Sequence, residues 1–101
     1  MVLQANIRID RKKIAEFCQR NHIRRLELFG SVLRNDFRPD SDVDMLVEFE
    51  PGTRTGFAFF ELQDELSRLL GREVDLNTRG FLGHRIHEKV RQQAEVLYSA
   101  N

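Results

Sequence analysis

The sequence predicts a small α/β protein in which one mixed β-sheet packs against helices. Stretches with apolar residues at helical spacing alternate with short alternating or apolar runs typical of strands, in the order α-β-turn-β-α-β-α-β. Elements in that order are typical of a sheet covered by helices. A chain of 101 residues is long enough for one modest core, so we expect residues 1–101 to form a single domain.

Composition limits the classes of function. Apolar residues make up 41% of the chain and charged residues 32%, as in globular proteins, and sixteen basic residues balance sixteen acidic ones. This balance gives no reason to expect direct binding to nucleic acid. No apolar run approaches the ~20 residues that span a bilayer, and the N-terminus lacks a signal-peptide pattern, so we expect a cytoplasmic protein without membrane contact.

The first half of the chain carries the first predicted helix and strand. Residues 1–9 alternate too weakly for a prediction. Asp10 is a suitable N-cap for a helix over residues 11–21, whose apolar stripe is Ile14, Phe17 and Cys18. Asn21-His22 is expected to end this helix, since asparagine tolerates the left-handed conformation. Residues 24–29 predict a strand with Leu26 and Leu28 on one face, followed by a helical turn over 31–33 and a loop over 34–41.

The second half contains the clearest strand and the clearest helix. Residues 43–49 predict the strand, and residues 57–70 predict a helix that ends at Gly71. The apolar stripe of this helix is Phe59, Leu62, Leu66 and Leu69, widened by Phe60 and Leu70, and we interpret it as core rather than as a binding surface. A strand over 73–77, a helix over 82–93 and a final strand over 94–98 complete the prediction.

Three aspartates are the candidate metal ligands. Asp42 and Asp44 are two residues apart, so on a strand they share a face, while Val43 and Met45 face the core. Asp75 alternates in the same way with its apolar neighbours. If the two strands are neighbours, three carboxylates converge, and such a group needs a cation to offset its repulsion. Mg²⁺ accepts such hard oxygen ligands and completes its shell with water and phosphate.

A Gly-Ser turn precedes the aspartates and is the candidate nucleotide-binding element. Gly30 allows a phosphate to approach the backbone, and Ser31 opens a helical turn whose N–H groups favour anions. Arg34 adds a positive charge one turn later. Each motif alone also has a structural interpretation, since Ser41-Asp42 is a suitable turn cap, but their conjunction in this order favours a site for a metal and a nucleoside triphosphate.

These residues resemble the signature of the minimal nucleotidyltransferases, in the DNA polymerase beta superfamily. The resemblance is carried by Phe29-Gly30-Ser31-x-x-Arg34, by Ser41-Asp42-x-Asp44-x-Leu46-Val47-Glu48-Phe49, and by Glu73-Val74-Asp75-Leu76. It implies that Asp42, Asp44 and Asp75 bind one or two Mg²⁺ and act as the catalytic residues. It also implies that Gly30 and Ser31 hold the triphosphate of ATP while AMP is transferred and pyrophosphate leaves. Residues 77–81 depart from the apolar and proline pattern expected after the third aspartate.

The resemblance further implies a protein partner. Small members of this family are typically antitoxins that adenylylate a tyrosine of a HEPN-domain ribonuclease toxin, in a hetero-oligomer. Only about 25 residues follow Asp75, too few for the acceptor-binding domain of larger relatives, so we expect the acceptor to supply its own surface. Two alternatives stay open: an antitoxin that neutralises by binding alone, and a catalytic subunit that modifies the hydroxyl of a small molecule.

Other polar residues are weaker candidates. His22 is expected in a turn, and Cys18 as a small buried hydrophobe rather than a nucleophile. His84 and His87 are three residues apart on a predicted helix, but two nitrogens do not make the usual four-ligand zinc site.

Overall fold

A computed structural model of the chain describes residues 2–4, 7–33, 38, 40–54, 56, 58–78 and 94–100. These residues form six strands, two helices and one 3-10 turn. The strands are β1 (Val2–Gln4), β2 (Ile7–Ile9), β3 (Ile23–Phe29), β4 (Val43–Phe49), β5 (Val74–Thr78) and β6 (Glu95–Ser99). The helices are α1 (Arg11–Arg20) and α2 (Ala58–Leu70), and the 3-10 turn is Gly30–Leu33. The predicted helix over 82–93 lies outside the described residues.

The sheet is mixed, as the sequence predicts. Its four strands have the order β5-β4-β3-β6, in which β3 pairs antiparallel with both β4 and β6 while β4 pairs parallel with β5. The prediction of a small α/β fold with helices packed on a mixed sheet is therefore confirmed. The parallel pairing of β4 with β5 brings together two segments that the whole of α2 separates in the chain.

The core lies between the sheet and the two helices. Its fully buried members include Ile14 and Phe17 of α1, Leu26 and Leu28 of β3, and Leu66 of α2. Asp10 caps α1 as predicted, since its Oδ1 accepts a hydrogen bond of 3.2 Å from the Lys13 N–H. The apolar stripes read from the sequence therefore set the orientation of both helices against the sheet.

One strand pairing lies where the sequence allows no prediction, and three details differ from the sequence-based expectations. Strands β1 and β2 pair antiparallel, and Ile7 and Ile9 of β2 are buried. His22, rather than Asn21, adopts a positive φ of 57° after α1. Glu27 is buried beside Arg25, with 4% of its surface exposed, although charged residues of an alternating strand are expected outside. Phe60, expected in the apolar stripe of α2, is 66% exposed, because the neighbouring position, Phe59, takes the side facing the core.

The part of the chain that the structure describes contains no helix long and apolar enough to cross a membrane.

Candidate active site

The candidate site lies where β3 ends and where β4 and β5 begin. In the sheet register, Phe29 pairs with Asp44, and Asp44 pairs in turn with Asp75. Paired residues of neighbouring strands project from the same face, with the strands about 4.8 Å apart. The sheet therefore brings Asp44 and Asp75 side by side, directly next to the Gly-Ser turn.

Gly30 contacts the Asp44 carboxylate closely. A Cβ added at Gly30 would overlap Oδ2 of Asp44 and would lie 3.2 Å from its Cγ, and the glycine has a φ of +79°. Both observations require glycine here, since an L-residue would be strained in this conformation and would meet the carboxylate. Asp44 is half-buried, whereas Asp75 is exposed.

Asp42 immediately precedes β4 and is exposed. The next residue, Val43, donates its N–H to the Glu73 carbonyl oxygen at 2.8 Å, which ties the beginning of β4 to the beginning of β5. Ser31 follows Gly30 within the 3-10 turn Gly30–Leu33. Arg34, the predicted cation, lies outside the described residues.

Mg²⁺ suits the donor atoms of this site. Among the residues described, no group of three or more histidine, cysteine, aspartate or glutamate side chains stands ready to hold a metal ion. Of the three predicted carboxylates, the sheet register pairs two, those of Asp44 and Asp75. Asp42 lies immediately before β4, two residues from Asp44. Such a pair fits the chemistry of Mg²⁺, which proteins bind through one or two carboxylates while water and substrate phosphates complete the shell.

Two side chains of α2 hold β5 in place around Asp75. The Leu76 N–H donates to Gln63 Oε1 at 3.0 Å, and the Val74 N–H donates to Ser67 Oγ at 3.0 Å. The Ser67 hydroxyl in turn donates to the Gln63 carbonyl oxygen at 3.0 Å. Asp75 thus lies between two backbone groups that α2 fixes, and these bonds satisfy N–H donors of β5, which lies at the end of the strand order.

Sequence reasoning missed this pair of polar side chains. The sequence does contain a pattern that indicates the pair. Gln63 and Ser67 are four residues apart, and each directly follows a buried leucine of α2, Leu62 or Leu66. Polar residues at that spacing share one side of a helix next to the apolar stripe, where they can reach a neighbouring strand.

The remaining candidates from the sequence are a cysteine and three histidines. Cys18 is fully buried, and burial raises the pKa of its thiol to about 12, which keeps it protonated and unreactive. His22 is exposed, with Nδ1 3.6 Å from Glu50 Oε2. His84 and His87 lie outside the described residues.

Comparison with known proteins identifies the family. The model of the nucleotidyltransferase domain matches residues 11–97. The chain is 39% identical to the protein adenylyltransferase MntA of Thermococcus cleftensis, over 82% of this chain and 81% of the relative.

Two solved structures have a similar fold. One, provisionally assigned as a minimal nucleotidyltransferase, is 36% identical with a TM-score of 0.71, over 84% of this chain and 86% of the other. The other is the complex of a tri-AMPylated HEPN toxin with an MNT antitoxin from Shewanella oneidensis. It matches at 25% identity with a TM-score of 0.64, and the match covers 89% of this chain and 70% of the other. The resemblance read from the Gly-Ser and Asp-x-Asp motifs is therefore confirmed, and this chain belongs to the nucleotidyltransferase domain family of enzymes.

Proposed function

We propose that this protein transfers AMP from ATP to a tyrosine hydroxyl of a HEPN-type ribonuclease toxin, and that it thereby acts as the antitoxin. The observation that carries the proposal is the pairing of Asp44 with Asp75, with the Gly30 backbone against the Asp44 carboxylate. The relatives support it, since one is a protein adenylyltransferase and another is an antitoxin bound to an AMPylated toxin.

The proposed reaction is a displacement at the α-phosphorus of ATP. The tyrosine oxygen forms a bond to this phosphorus, the bond from the phosphorus to the oxygen bridging the α- and β-phosphates breaks, and pyrophosphate leaves. The proton of the hydroxyl passes to water. Reactions of this kind depend mostly on positioning and on neutralising charge, so a small set of residues is sufficient.

Each proposed site residue has one task. Asp42, Asp44 and Asp75 would hold one or two Mg²⁺, which when bound neutralise the charge on the phosphates and on the leaving pyrophosphate. Gly30 allows the triphosphate to approach the backbone next to Asp44, and Ser31 offers its N–H at the start of the turn. Arg34 adds a positive charge for the phosphates.

Intact-mass analysis of the toxin tests the proposal. After incubation with this protein, ATP and Mg²⁺, the toxin should gain AMP-sized mass increments and lose its ribonuclease activity. Asp44→Asn and Asp75→Asn should abolish the increments, whereas Asp64→Asn, at an exposed position of α2, should leave them unchanged. A toxin that stays unmodified with the wild-type protein would overturn the proposal. If such a toxin is still neutralised, and Asp44→Asn neutralises it equally, the protein acts by binding alone.

A further inference from the structure

A cleft next to Asp75 has no assigned role. It has a volume of about 700 Å³ and is lined by Gly56, Phe59, Phe60, Gln63, Asp75, Leu76 and Thr78. This volume is typical of ligand-binding clefts, most of which combine apolar walls with a few polar groups. Here the lining includes two phenylalanines, and one of its polar residues is Asp75, a proposed catalytic residue.

One ring of the aromatic wall is exposed, and the other is partly buried. Phe60 is 66% exposed, while Phe59 packs against the core, and their rings meet edge to face at 88° with centroids 6.2 Å apart. Among the described residues, the other large exposed hydrophobic side chain is Val96 of β6, at 37%. Phe59 is only partly buried, and an exposed aromatic ring beside it is of the kind that serves as an anchor where it fills a pocket of a binding partner.

The cleft is rigidly connected to the catalytic strand. One of its lining residues, Gln63, accepts the hydrogen bond from the Leu76 N–H, and Ser67 accepts from Val74 one helical turn further along α2. These bonds fix the middle of α2 relative to the β5 backbone on both sides of Asp75. The aromatic wall and the carboxylate are therefore held at a set distance before any ligand arrives.

The position of the cleft in the sheet separates it from the phosphate turn. Gly30 follows β3 and contacts Asp44 of β4, whereas the cleft borders β5, on the other side of β4 in the strand order β5-β4-β3. In phosphoryl-type transfer the attacking and leaving oxygens lie roughly in line, on opposite sides of the phosphorus. If pyrophosphate leaves toward Gly30, the attacking hydroxyl arrives from the side of β5.

We infer that this cleft is the docking site for the acceptor tyrosine of the partner protein, with its ring against Phe60 and its hydroxyl directed to Asp75. The inference rests on the proposed function and adds to it the surface that receives the acceptor. Tyrosine suits the cleft, since it has an apolar ring for the aromatic wall and a hydroxyl that can donate a hydrogen bond to a carboxylate.

Phe60→Ala in the full chain tests the inference, with toxin affinity measured by calorimetry and AMP transfer measured at varied toxin and at varied ATP. Loss of an aromatic anchor typically costs 1–2 kcal/mol or more, so we expect the dissociation constant and the KM for the toxin to rise about 10-fold. The KM for ATP should change less than about 2-fold, by the same reasoning that the ring contacts only the acceptor. Phe60→Tyr, which keeps the ring, should restore near wild-type values.

Val96→Ala is the matched control, since it removes an exposed apolar side chain from β6 at the other end of the strand order. It should leave both KM values and the toxin affinity unchanged. A rise in the KM for ATP with Phe60→Ala, without one for the toxin, would assign the cleft to the adenine base and overturn the inference. Unchanged toxin affinity with Phe60→Ala would overturn it as well. If the wild-type protein transfers no AMP, the proposed function fails, and toxin affinity alone then decides whether Phe60 contacts the partner.

Discussion

Replacing Gly30 by alanine tests how closely the phosphate turn approaches the catalytic carboxylate. The glycine has a φ of +79°, and a methyl group there would overlap Oδ2 of Asp44 and lie 3.2 Å from its Cγ. The substitution therefore has two separable effects. It strains the backbone, and it moves the Asp44 side chain.

The two effects differ in size and in the property that they change. A non-glycine residue in the left-handed region costs about 1–3 kcal/mol of folding free energy. Relieving the overlap requires Asp44 to shift by about 1 Å, and a misplacement of this size lowers the rate on the order of 10²-fold. We therefore expect Gly30→Ala to lose most of its AMP-transfer rate while it still folds.

Gly52→Ala separates strain from displacement. Gly52 has a similar φ of +83°, but a Cβ added there meets nothing within 4 Å. This control should lose about as much stability as Gly30→Ala, within the 1–3 kcal/mol expected of backbone strain, while it keeps the wild-type rate. Thermal unfolding and initial rates of toxin modification measure the two properties in the same preparations.

Two results would refute this reasoning. If Gly30→Ala transferred AMP at the wild-type rate, the Gly30 backbone would not define the position of Asp44 in the active complex. If Gly52→Ala lost as much activity as Gly30→Ala, the loss would come from general destabilisation rather than from the contact with Asp44.

Three further predictions concern α2, the core and the cysteine. Gln63→Leu leaves the Leu76 N–H without its acceptor. It should lower the free energy of unfolding by about 1–3 kcal/mol and raise the Mg²⁺ concentration that gives half the maximal rate. Gln19→Leu, on the exposed side of α1, should change neither property. Leu66→Ala removes a fully buried side chain and should lower the free energy of unfolding, measured in urea, by about 2–5 kcal/mol. A value within about 0.5 kcal/mol of wild type, as for exposed positions, would show that α2 does not pack as described. Because burial raises the pKa of Cys18 to about 12, a maleimide at pH 8 should label the native thiol far more slowly than the urea-unfolded one, and equal rates would contradict its burial.

The local parts of the site could be predicted from the sequence because they depend on neighbouring residues. Alternation along β4 places Asp44 on the face opposite Val43 and Met45. Gly30 indicates a turn with a positive φ. The N-cap Asp10 and the end of α2 at Gly71, with a φ of +67°, follow from equally local rules.

The remaining features depend on contacts between distant segments. The sequence suggests that Asp75 is on a strand, but only the parallel pairing of β4 with β5 aligns it with Asp44, and pairing across a helix has no local signal. The bonds from Leu76 and Val74 to α2 depend on that same pairing. Phe60 lies outside the core although the predicted apolar stripe includes it, because a one-residue step on a helix turns a side chain by about 100°.

The burial of Glu27 could not be predicted from the sequence either. Its position in an alternating strand predicts exposure, but the sheet position opposite Leu46, which is 2% exposed, is covered on that face as well. Alternation describes a sheet with one solvated face, and it fails where both faces are covered.

The most direct measurement for the central claim is the position of Mn²⁺, as a substitute for Mg²⁺, in crystals of the protein with its toxin and a non-hydrolysable ATP analogue. We expect an anomalous peak within ligand distance of the Asp44 and Asp75 carboxylates, with the triphosphate next to Gly30. A peak elsewhere, for example between Asp40 and Glu73 in the neighbouring cleft of about 450 Å³, would contradict it.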